Sequence, residues 1–479
     1  MRTINFLQKI TQTNFLFYDY ETFGKNTSLD RPAQFASLRT DINFNIIEKP
    51  QKFFCKLADD YLPQPEAVMV TGITPQIVQN QGVPEVEFAK RIHSILTKSN
   101  TCIIGYNNIH FDDEMTRNIF YRNFYDPYAW TWKNNNSRWD LLNVMRTCYA
   151  LRPNGIIWPK RENGLPSFRL EHLTKANGIT HNKAHDAISD VHATVELAKL
   201  VKKKQPNLFD FLFNHRQKQQ LRMLIDLPHM QPLVYVSNTI STLQRNTSLV
   251  APICWHPHNF NYLIIIDLTK DVSVLLDIDI KTLRKNIYKS SLFNEIIPTQ
   301  VINLNKCPIL APANTLRIED TIRLNIDRQQ CIDNLLLLRK SPNIRNKILE
   351  IHSQFKPKIL SNNVDTQLYK GFFNNFDQVN MKIIHKTEPI NLRLLNIQFN
   401  DKRLDKLLFR YRARNFPKTL SNKEKKLWFQ HKKKIFHPKY IHDFLCELRK
   451  LTVKNKNNIN KIFLLKELYA YLCKLHPDK

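Results

Sequence analysis

The stretch Phe15-Leu16-Phe17-Tyr18-Asp19-Tyr20-Glu21-Thr22 sets two carboxylates in an otherwise apolar run. Side chains of a β-strand alternate between its two faces, so Asp19 and Glu21 are predicted to share one face. Adjacent carboxylates repel each other and are costly to bury without a partner, and a divalent cation between them removes both costs. The alternative interpretation is an edge strand with a solvated acidic end, which the pattern alone does not exclude.

Two further segments carry polar residues that complete a possible catalytic set. The run Ile103-Ile104-Gly105-Tyr106-Asn107-Asn108-Ile109-His110-Phe111-Asp112 is typical of a buried strand, a turn and a helix start, so Asp112 is predicted to begin a helix over 113–125. The run His185-Asp186-Ala187-Ile188-Ser189-Asp190 opens an amphipathic helix that extends to about Lys203. Because five helical residues turn the chain by about 140°, His185 is predicted in the preceding loop, with Asp190 one turn inside.

Residues of these types suit two-metal hydrolysis of a phosphodiester. Hard cations such as Mg²⁺ prefer carboxylate oxygens. In a two-metal site one ion activates water, and both stabilise the in-line transition state. A histidine beside the site can accept the proton of the water near neutral pH.

At these residues the chain resembles the DEDDh exonucleases, the DnaQ-like branch with an RNase H-like fold. The matching positions are Asp19, Glu21, Thr22, Thr71-Gly72-Ile73-Thr74, Gly105-Tyr106-Asn107, Asp112, His185-Asp186-Ala187 and Asp190. Longer stretches resemble one family within that branch, the bacterial exodeoxyribonuclease I enzymes. These stretches are 29–35, 120–130, 165–173 and 411–417.

The resemblance implies processive 3′→5′ hydrolysis of single-stranded DNA to 5′-mononucleotides, in DNA repair and recombination. It implies that four carboxylates hold two Mg²⁺ ions and that His185 is the general base. The four are Asp19, Glu21, Asp112 and Asp190. Two rival hypotheses stay open at this point: a DEDDh enzyme that trims RNA, and a nucleic-acid-binding protein with an inactive site.

The chain is predicted to contain three domains. Alternating strand-like and helical runs over 1–203 favour an α/β sheet covered by helices, the RNase H-like exonuclease domain. Residues 204–355 are β-rich, with strand candidates at 232–236, 262–266 and 272–276 and a helix at 327–338, and the resemblance implies an SH3-like domain. Residues 356–479 are predicted to form a C-terminal helical domain. A core-facing stripe there consists of Leu404, Leu407, Leu408 and Tyr411.

Basic residues interleaved with aromatics are predicted to hold the DNA strand, since arginines bind phosphates and bases stack on rings. The resemblance favours Glu21, Arg117, Tyr128, Trp132, Arg146, Arg152 and Arg169 as substrate contacts. The alternative for the aromatic residues is burial in the core. The alternative for Arg169 is an ion pair with Glu171 or Asp140.

Three arginines of the second domain, Arg317, Arg328 and Arg339, form a hypothetical pocket for an acidic peptide. Clustered arginines suit carboxylate recognition. The resemblance implies the C-terminal tail of a single-strand-binding protein as the partner.

Composition narrows the class of protein. The 479 residues carry 71 Lys and Arg against 42 Asp and Glu, a net charge of +29, which favours a polyanionic partner such as nucleic acid. Only 8 residues are glycine while lysine, asparagine and isoleucine are abundant, as in AT-rich genomes, so part of this charge is attributed to codon drift. The lysine-rich run 423–434 is accordingly interpreted as a solvated face that can also add to the strand groove.

Several patterns argue against a disulfide-bonded, zinc-binding, secreted or membrane-spanning protein. The 8 cysteines include no C-x-x-C pair and indicate incidental thiols in a reducing compartment. His256-Pro257-His258 has ligand-like spacing but is interpreted as a surface turn rather than a metal site. Residues 1–10 lack a signal-peptide core and no run reaches the length of a membrane span. A cytoplasmic monomer is therefore expected.

Overall fold

The computed structural model describes residues 13–181, 185–240, 245–287, 297–353 and 361–475, so the predicted absence of a signal peptide over 1–10 concerns residues outside this description. The chain groups into two compact units. The first unit comprises Met1–Asn136, Asn182–His192 and Ile359–Lys479, and the second comprises Ser137–His181 and Ala193–Lys358.

The secondary structure is mixed. The strands are β1 (Asn14–Thr22), β2 (Pro32–Thr40), β3 (Gln51–Phe54), β4 (Thr101–Gly105), β5 (Ser137–Asp140), β6 (Leu233–Val236), β7 (Thr247–Trp255), β8 (Tyr262–Asp267), β9 (Thr299–Asn303) and β10 (Ile309–Pro312). The helices are α1 (Pro65–Thr71), α2 (Pro75–Gln81), α3 (Glu85–Leu96), α4 (Asp112–Arg122), α5 (Leu141–Leu151), α6 (Leu170–Ala176), α7 (Ala187–Lys204), α8 (Pro206–Asn214), α9 (Lys218–Met223), α10 (Val274–Asp277), α11 (Ile280–Ile287), α12 (Ile318–Leu324), α13 (Arg328–Lys340), α14 (Ile344–His352), α15 (Asn375–Lys386), α16 (Arg403–Asn415), α17 (Asn422–Ile435), α18 (Pro438–Lys454) and α19 (Ile459–Leu475).

Strand β1 is an inner strand of the first unit, where the neighbouring strands follow the order β3-β2-β1-β4. It pairs antiparallel with β2 along most of its length and parallel with β4 only as far as Phe17. An inner strand has its backbone groups paired on both sides, which fixes its register. Because β4 ends first, residues 18–22 extend beyond it, and the carboxylates of β1 emerge at that edge.

The Thr71-Gly72-Ile73-Thr74 run ends one helix and starts the next. Gly72 has a φ of 70°, the left-handed conformation typical of a helix C-cap, and its N–H donates to the carbonyl of Val68. Thr74 caps α2 by accepting a hydrogen bond from the Ile77 N–H at 3.3 Å, and Pro75 occupies the first turn. The residue pattern of this run thus follows from local capping chemistry.

The C-terminal helices share a core with the amino-terminal part of the first unit. Phe23 and Val68 belong to the same buried cluster as Phe444 of α18 and Leu468 of α19. Burial of a large apolar side chain contributes about 1.5–3 kcal/mol, so this cluster holds α18 and α19 firmly beside the end of β1. The buried stripe predicted on residues 404–411 is confirmed in α16, where Leu404, Leu407 and Tyr411 are buried.

The second unit contains an antiparallel sheet with the strand order β10-β6-β7-β8-β9. Strands β6 and β8 confirm the predictions over 232–236 and 262–266, and α13 confirms the helix over 327–338. The strand predicted over 272–276 is wrong, because α10 begins at Val274. The Asp271 carboxylate accepts hydrogen bonds from the N–H and hydroxyl of Ser273, which turns the chain into a helix.

No helix within the described parts of the chain is both long and apolar enough to cross a membrane. Helix α7, at 18 residues one of the longer helices, ends in three consecutive lysines.

Candidate active site

The end of β1 carries the acidic pair. Tyr18 and Tyr20 are buried in the aromatic core of the first unit, so the alternating side chains Asp19 and Glu21 lie on the opposite face. Glu21 is 7% exposed, which excludes the solvated edge strand as an interpretation. Both carboxylates therefore lie in a semi-enclosed site.

Asp112 joins this pair from the first turn of α4. Its Oδ1 atom accepts a hydrogen bond from the backbone N–H of Tyr20 at 3.1 Å, between the two acidic residues of β1. The adjacent Asp113 has a different role, because its Oδ1 accepts from the Tyr18 hydroxyl at 2.5 Å and from Asn108 at 3.1 Å. Successive helical positions point about 100° apart, so only Asp112 faces the acidic pair.

The start of α7 completes the set as the sequence predicts. Asp190 lies in the first turn of α7 and His185 lies just before the helix. Ligand atoms of Glu21, His185 and Asp190 all lie within 4.8 Å of one another. His185 has a φ of 65°, a conformation that non-glycine residues adopt rarely and that concentrates at functional sites.

Neighbouring groups anchor this end of α7. The N–H of Ala187 donates to Oε1 of Gln34 on β2 at 3.1 Å. Asp186 accepts from Lys52 of β3 at 2.9 Å, so its charge is paired. These contacts fix the loop that presents His185 to the carboxylates.

The carboxylates strongly perturb one another. Burial raises the pKa of Glu21 to about 9, with further contributions from the negative charges of Asp190 and Asp112. Burial and the charges of Asp112, Glu21 and Asp190 likewise raise the pKa of Asp19 well above its usual range. A set of carboxylate oxygens in which like charges repel fits hard divalent cations, with the His185 imidazole beside them.

A cavity of about 420 Å³ opens beside Glu21. Part of its wall comes from the amino-terminal segment, including Thr22, Val70 and Phe111. Lys454 of α18 and Lys461 of α19 line it from the C-terminal helices. Sequence reasoning missed both lysines, because only the packing of α18 and α19 brings them to the site and nothing local distinguishes them from other lysines of the chain.

The residues of the first unit that are predicted to contact the DNA strand differ in how free their side chains are to bind it. Arg117 pairs with Glu114 at 2.7 Å, donates to the Tyr369 hydroxyl at 3.2 Å and lies over the Tyr128 ring at 5.6 Å. Trp132 is 65% exposed, which leaves its ring available for stacking. Trp130 beside it is buried in the core, as the alternative for aromatic residues anticipated.

The other predicted strand contacts, Arg146, Arg152 and Arg169, lie in the second unit. Arg146 donates to Oδ1 of Asn143 at 2.9 Å. Arg152 donates to the carbonyl of Thr315 at 3.1 Å. The Arg169 side chain is 68% exposed, and its guanidinium lies 3.9 Å from the Glu171 carboxylate. Such an exposed ion pair contributes little to stability. Asp140, the other partner considered for Arg169, caps α5 instead.

The three arginines of the hypothetical peptide pocket are also in the second unit. Arg317 pairs with Glu319 at 2.6 Å and with Asp320 at 2.8 Å. Arg328 and Arg339 lie at opposite ends of α13. The two arginines are eleven positions apart, which corresponds to about 16 Å along the helix axis and places both on the same face of α13. Ile332 and Leu336, 48% and 45% exposed, occupy that face between them.

The histidines outside this set have ordinary surroundings. His256-Pro257-His258 forms the turn between β7 and β8, as predicted. His172 bonds to the Ser167 hydroxyl at 2.8 Å, and His181 to the Thr174 hydroxyl at 3.3 Å. Across the residues that the structure describes, the only group with metal-ligand spacing is Glu21, His185 and Asp190.

Family models match nearly the whole chain. An exonuclease model matches residues 16–198, an exonuclease I SH3-like domain matches 216–354, and an exonuclease I C-terminal domain matches 362–475. Exodeoxyribonuclease I of Escherichia coli K12 is 56% identical over 463 residues, covering 96% of this chain and 98% of the relative. Exodeoxyribonuclease I of Haemophilus influenzae Rd is 48% identical over 467 residues, covering 96% and 98%.

Solved structures match with the same coverage. E. coli exonuclease I in complex with a dA16 oligonucleotide superposes with a TM-score of 0.95 at 55% identity, over 97% of this chain and 100% of that one. The zinc-ion-bound form of the E. coli enzyme with single-stranded DNA gives 0.93 at 55%, over 97% and 99%. A crystal structure of SSB/exonuclease I with the inhibitor CFAM gives 0.92 at 55%, over 97% and 100%. These matches confirm the predicted exonuclease, SH3-like and C-terminal helical regions.

Proposed function

The chain belongs to the exonuclease I family, and from that premise we propose that it hydrolyses single-stranded DNA processively from the 3′ end. The proposed products are 5′-mononucleotides, and the proposed setting is DNA repair and recombination. The observation that carries the proposal is the convergence of Glu21, His185 and Asp190 within 4.8 Å, next to Asp19 and Asp112. The proposed limits of the three domains remain 1–203, 204–355 and 356–479.

Enzymes of this exonuclease family need divalent metal ions. We propose two Mg²⁺ ions, held by Asp19, Glu21, Asp112 and Asp190. Burial and the neighbouring carboxylates raise the pKa values of Asp19 and Glu21, a cost that bound cations would offset. When bound, the ions supply stabilisation of the negative charge that develops on the scissile phosphate. His185, within reach of Glu21 and Asp190, accepts the proton of the attacking water at an imidazole nitrogen.

Digestion of end-labelled strands tests the reaction and its polarity. Incubation of 3′-labelled single-stranded DNA with Mg²⁺ is expected to release labelled mononucleotide at once, whereas a 5′ label stays in a shortening strand. An RNA strand of equal sequence separates DNA hydrolysis from RNA trimming. Equal rates on DNA and RNA, or release of the 5′ label first, would contradict the proposal.

Replacement of His185 by asparagine is expected to lower kcat about 10²–10⁴-fold, because the variant lacks a base for the attacking water. The carboxylates remain, so strand affinity and metal affinity are expected to be unchanged. His192→Asn is the matched control, since His192 lies on the exposed side of the same helix. A His185→Asn enzyme with the wild-type kcat would exclude the proposed base.

We assign substrate contacts to Glu21, Arg117, Tyr128, Trp132, Arg146, Arg152 and Arg169. The exposed Trp132 ring and the exposed Arg169 guanidinium support direct contact with bases and phosphates. Arg117, held by Glu114 and Tyr369, orients the Tyr128 ring below it. A strand held by such contacts over several nucleotides stays bound between cleavage steps, which supports processive action.

We also propose that Arg317, Arg328 and Arg339 bind the acidic C-terminal tail of a single-strand-binding protein. The support is the guanidinium groups that flank the exposed apolar residues Ile332 and Leu336, since acidic peptides with apolar side chains complement such a face. Replacing all three arginines by alanine is expected to abolish binding of a tail peptide, measured by fluorescence anisotropy. Arg161→Ala, at another exposed arginine of the second unit, is the control. Unchanged peptide affinity in the triple variant would refute this site.

We propose a monomer that works in the cytoplasm, where its DNA substrate is found. All proposed catalytic side chains come from one chain and one compact unit, which supports a monomer. Light scattering of the purified protein, with and without an oligonucleotide, tests the oligomeric state.

A further inference from the structure

Helix α17 presents a basic and aromatic outer face. Lys425, Lys426, Phe429 and Lys433 recur at three- and four-residue spacing, which places them on one side of the helix. Together with Gln430 they line an open groove of about 470 Å³. The Phe429 ring is 53% exposed, and the Lys433 ammonium lies 4.8 Å from its centroid.

The side of α17 next to this face is anchored on the rest of the first unit. Trp428 is buried and its Nε1 donates to Oδ1 of Asp59 at 3.0 Å. Lys432 donates to the other oxygen of Asp59 at 2.7 Å. A capping box of Ser421 and Glu424 starts the helix. The outer lysines are therefore displayed by a rigid support and not by a mobile loop.

The charges of this face are not balanced locally. Lys432 has an acidic partner, and the acidic side chain of Glu424 is already bound to Arg412. Within the described residues no ion pair is found for Lys425, Lys426 or Lys433. Three ammonium groups around an exposed ring attract phosphates, while the ring offers a surface for an unstacked base.

The groove is distinct from the active-site cavity. Its residues are all on α17, whereas the cavity beside Glu21 is lined by β1, α1, Phe111, α18 and α19 and their flanking loops. A ligand on α17 therefore does not compete for the same side chains as a strand end at Glu21.

We propose that the outer face of α17 is a second binding surface for single-stranded DNA, separate from the active site. Phosphates bind to Lys425, Lys426 and Lys433, and one base stacks on Phe429. The exposed Phe429 ring favours a single strand, whose unstacked bases can stack on it, over a duplex, in which the base faces are covered. The choice of single-stranded DNA as the ligand rests on the proposed function, but binding at this surface does not depend on hydrolysis.

Binding without metal tests this surface independently of catalysis. Affinities for a 6-nucleotide and a 40-nucleotide oligothymidylate are measured by fluorescence anisotropy in EDTA over a series of salt concentrations. The variant K425A/K426A/K433A is expected to bind the long strand about tenfold or more weakly. Its salt slope is expected to fall by about 2, because three phosphate contacts each contribute roughly 0.7. Affinity for the short strand is expected to be unchanged.

Three controls make the outcome specific. K439A/K456A/K466A removes the same charge from other exposed positions and is expected to leave the slope near that of the wild type. Phe429→Ala, which keeps all charges, is expected to weaken long-strand binding about tenfold without changing the slope. Photo-crosslinking of a 5-iodouracil strand is expected to label the peptide that contains Phe429.

Other results would overturn the inference. An equal loss in both triple variants would show a bulk charge effect. Binding of the whole protein to anionic lipid vesicles that is lost in K425A/K426A/K433A, with DNA affinity unaffected by that variant, would show that this face binds a membrane surface instead. Digestion of the 6-nucleotide strand with Mg²⁺ is run in parallel, so an inactive wild type contradicts the proposed function while the anisotropy series still decides this one.

Discussion

Replacement of Asp19 by asparagine is expected to lower the rate of strand digestion at least about a thousandfold. Asparagine has the shape of aspartate but no charge, so it is a poor ligand for a divalent cation. Loss of several kcal/mol of transition-state stabilisation corresponds to about three powers of ten in rate. Asp19 lies among Glu21, Asp112 and Asp190, the other carboxylates of the proposed metal site.

The same substitution is expected to leave the fold intact or make it more stable when metal is absent. Burial, together with the negative charges of Asp112, Glu21 and Asp190, raises the pKa of Asp19 well above its usual range, so its ionised form is disfavoured there. Removing one charge from a repulsive group relieves that cost. The melting temperature in EDTA is therefore expected to be equal to or higher than that of the wild type, while addition of Mg²⁺ raises it less.

Glu87→Gln is the matched control, because it removes one carboxylate from an exposed ion pair with Arg91. Rates on 3′-labelled DNA are compared among wild type, Asp19→Asn and Glu87→Gln, with strand affinity measured in EDTA. An Asp19→Asn enzyme within tenfold of the wild-type rate would show that the acidic site is not the centre of hydrolysis. Loss of strand binding in EDTA would show instead that Asp19 supports the substrate.

The proposed catalytic set was accessible from the sequence because each of its members sits in a short local pattern. Asp19 and Glu21 share a strand face, and Asp190 follows His185 at the distance that a loop and one helical turn require. The choice of Asp112 over Asp113 rested on the resemblance, since both are acidic and adjacent. Only the structure shows the physical reason, which is that Asp113 is engaged by Tyr18 and Asn108.

Contacts between distant segments were not accessible in the same way. Lys454 and Lys461 line the cavity beside Glu21, more than 400 positions away in the chain, because a shared core brings α18 and α19 there. A local pattern also misled over Val272–Leu276, where alternating residues suggested a strand. A side-chain hydrogen bond from Ser273 to Asp271 outweighed that weak preference and began a helix.

Two stretches that identified the family have a structural role that their sequence did not reveal. Arg31 lies in the 29–35 stretch and Arg414 in the 411–417 stretch, and both interact with the buried carboxylate of Asp365. Arg414 also binds Asp60, at 2.7 Å, so one guanidinium bridges two buried acids from distant parts of the chain. Other arginines of the chain were predicted to contact DNA, whereas Arg414 forms a fixed, bidentate junction within the first unit.

Replacement of Arg414 by alanine is expected to destabilise the first unit by about 3–5 kcal/mol, because it leaves Asp60 and Asp365 buried without their main partner. The Asp365 carboxylate keeps weaker support from Arg31 and Arg410, whereas Asp60 keeps His431 at 3.4 Å and the more distant charge of Arg31. Urea unfolding followed by circular dichroism measures the loss, and hydrogen exchange in α16 locates it. Arg91→Ala, which breaks the exposed pair with Glu87, is expected to cost less than about 1 kcal/mol.

Acid is expected to remove the advantage of the wild type over Arg414→Ala. Arg414 lowers the pKa of Asp365 well below its ordinary value of 3.8, and also lowers the pKa of Asp60. A carboxylate with a depressed folded-state pKa contributes stability that is fully present above its unfolded pKa. That stability is lost as the pH falls from about 4 through the folded-state value. The stability difference between the two proteins, measured from their urea midpoints, should therefore be largest near neutral pH and shrink as the pH falls toward the folded-state pKa values of the wild type. A difference that stays constant down to pH 2, or a neutral-pH loss no larger than that of Arg91→Ala, would show that the Arg414 junction does not hold the unit together through its charges.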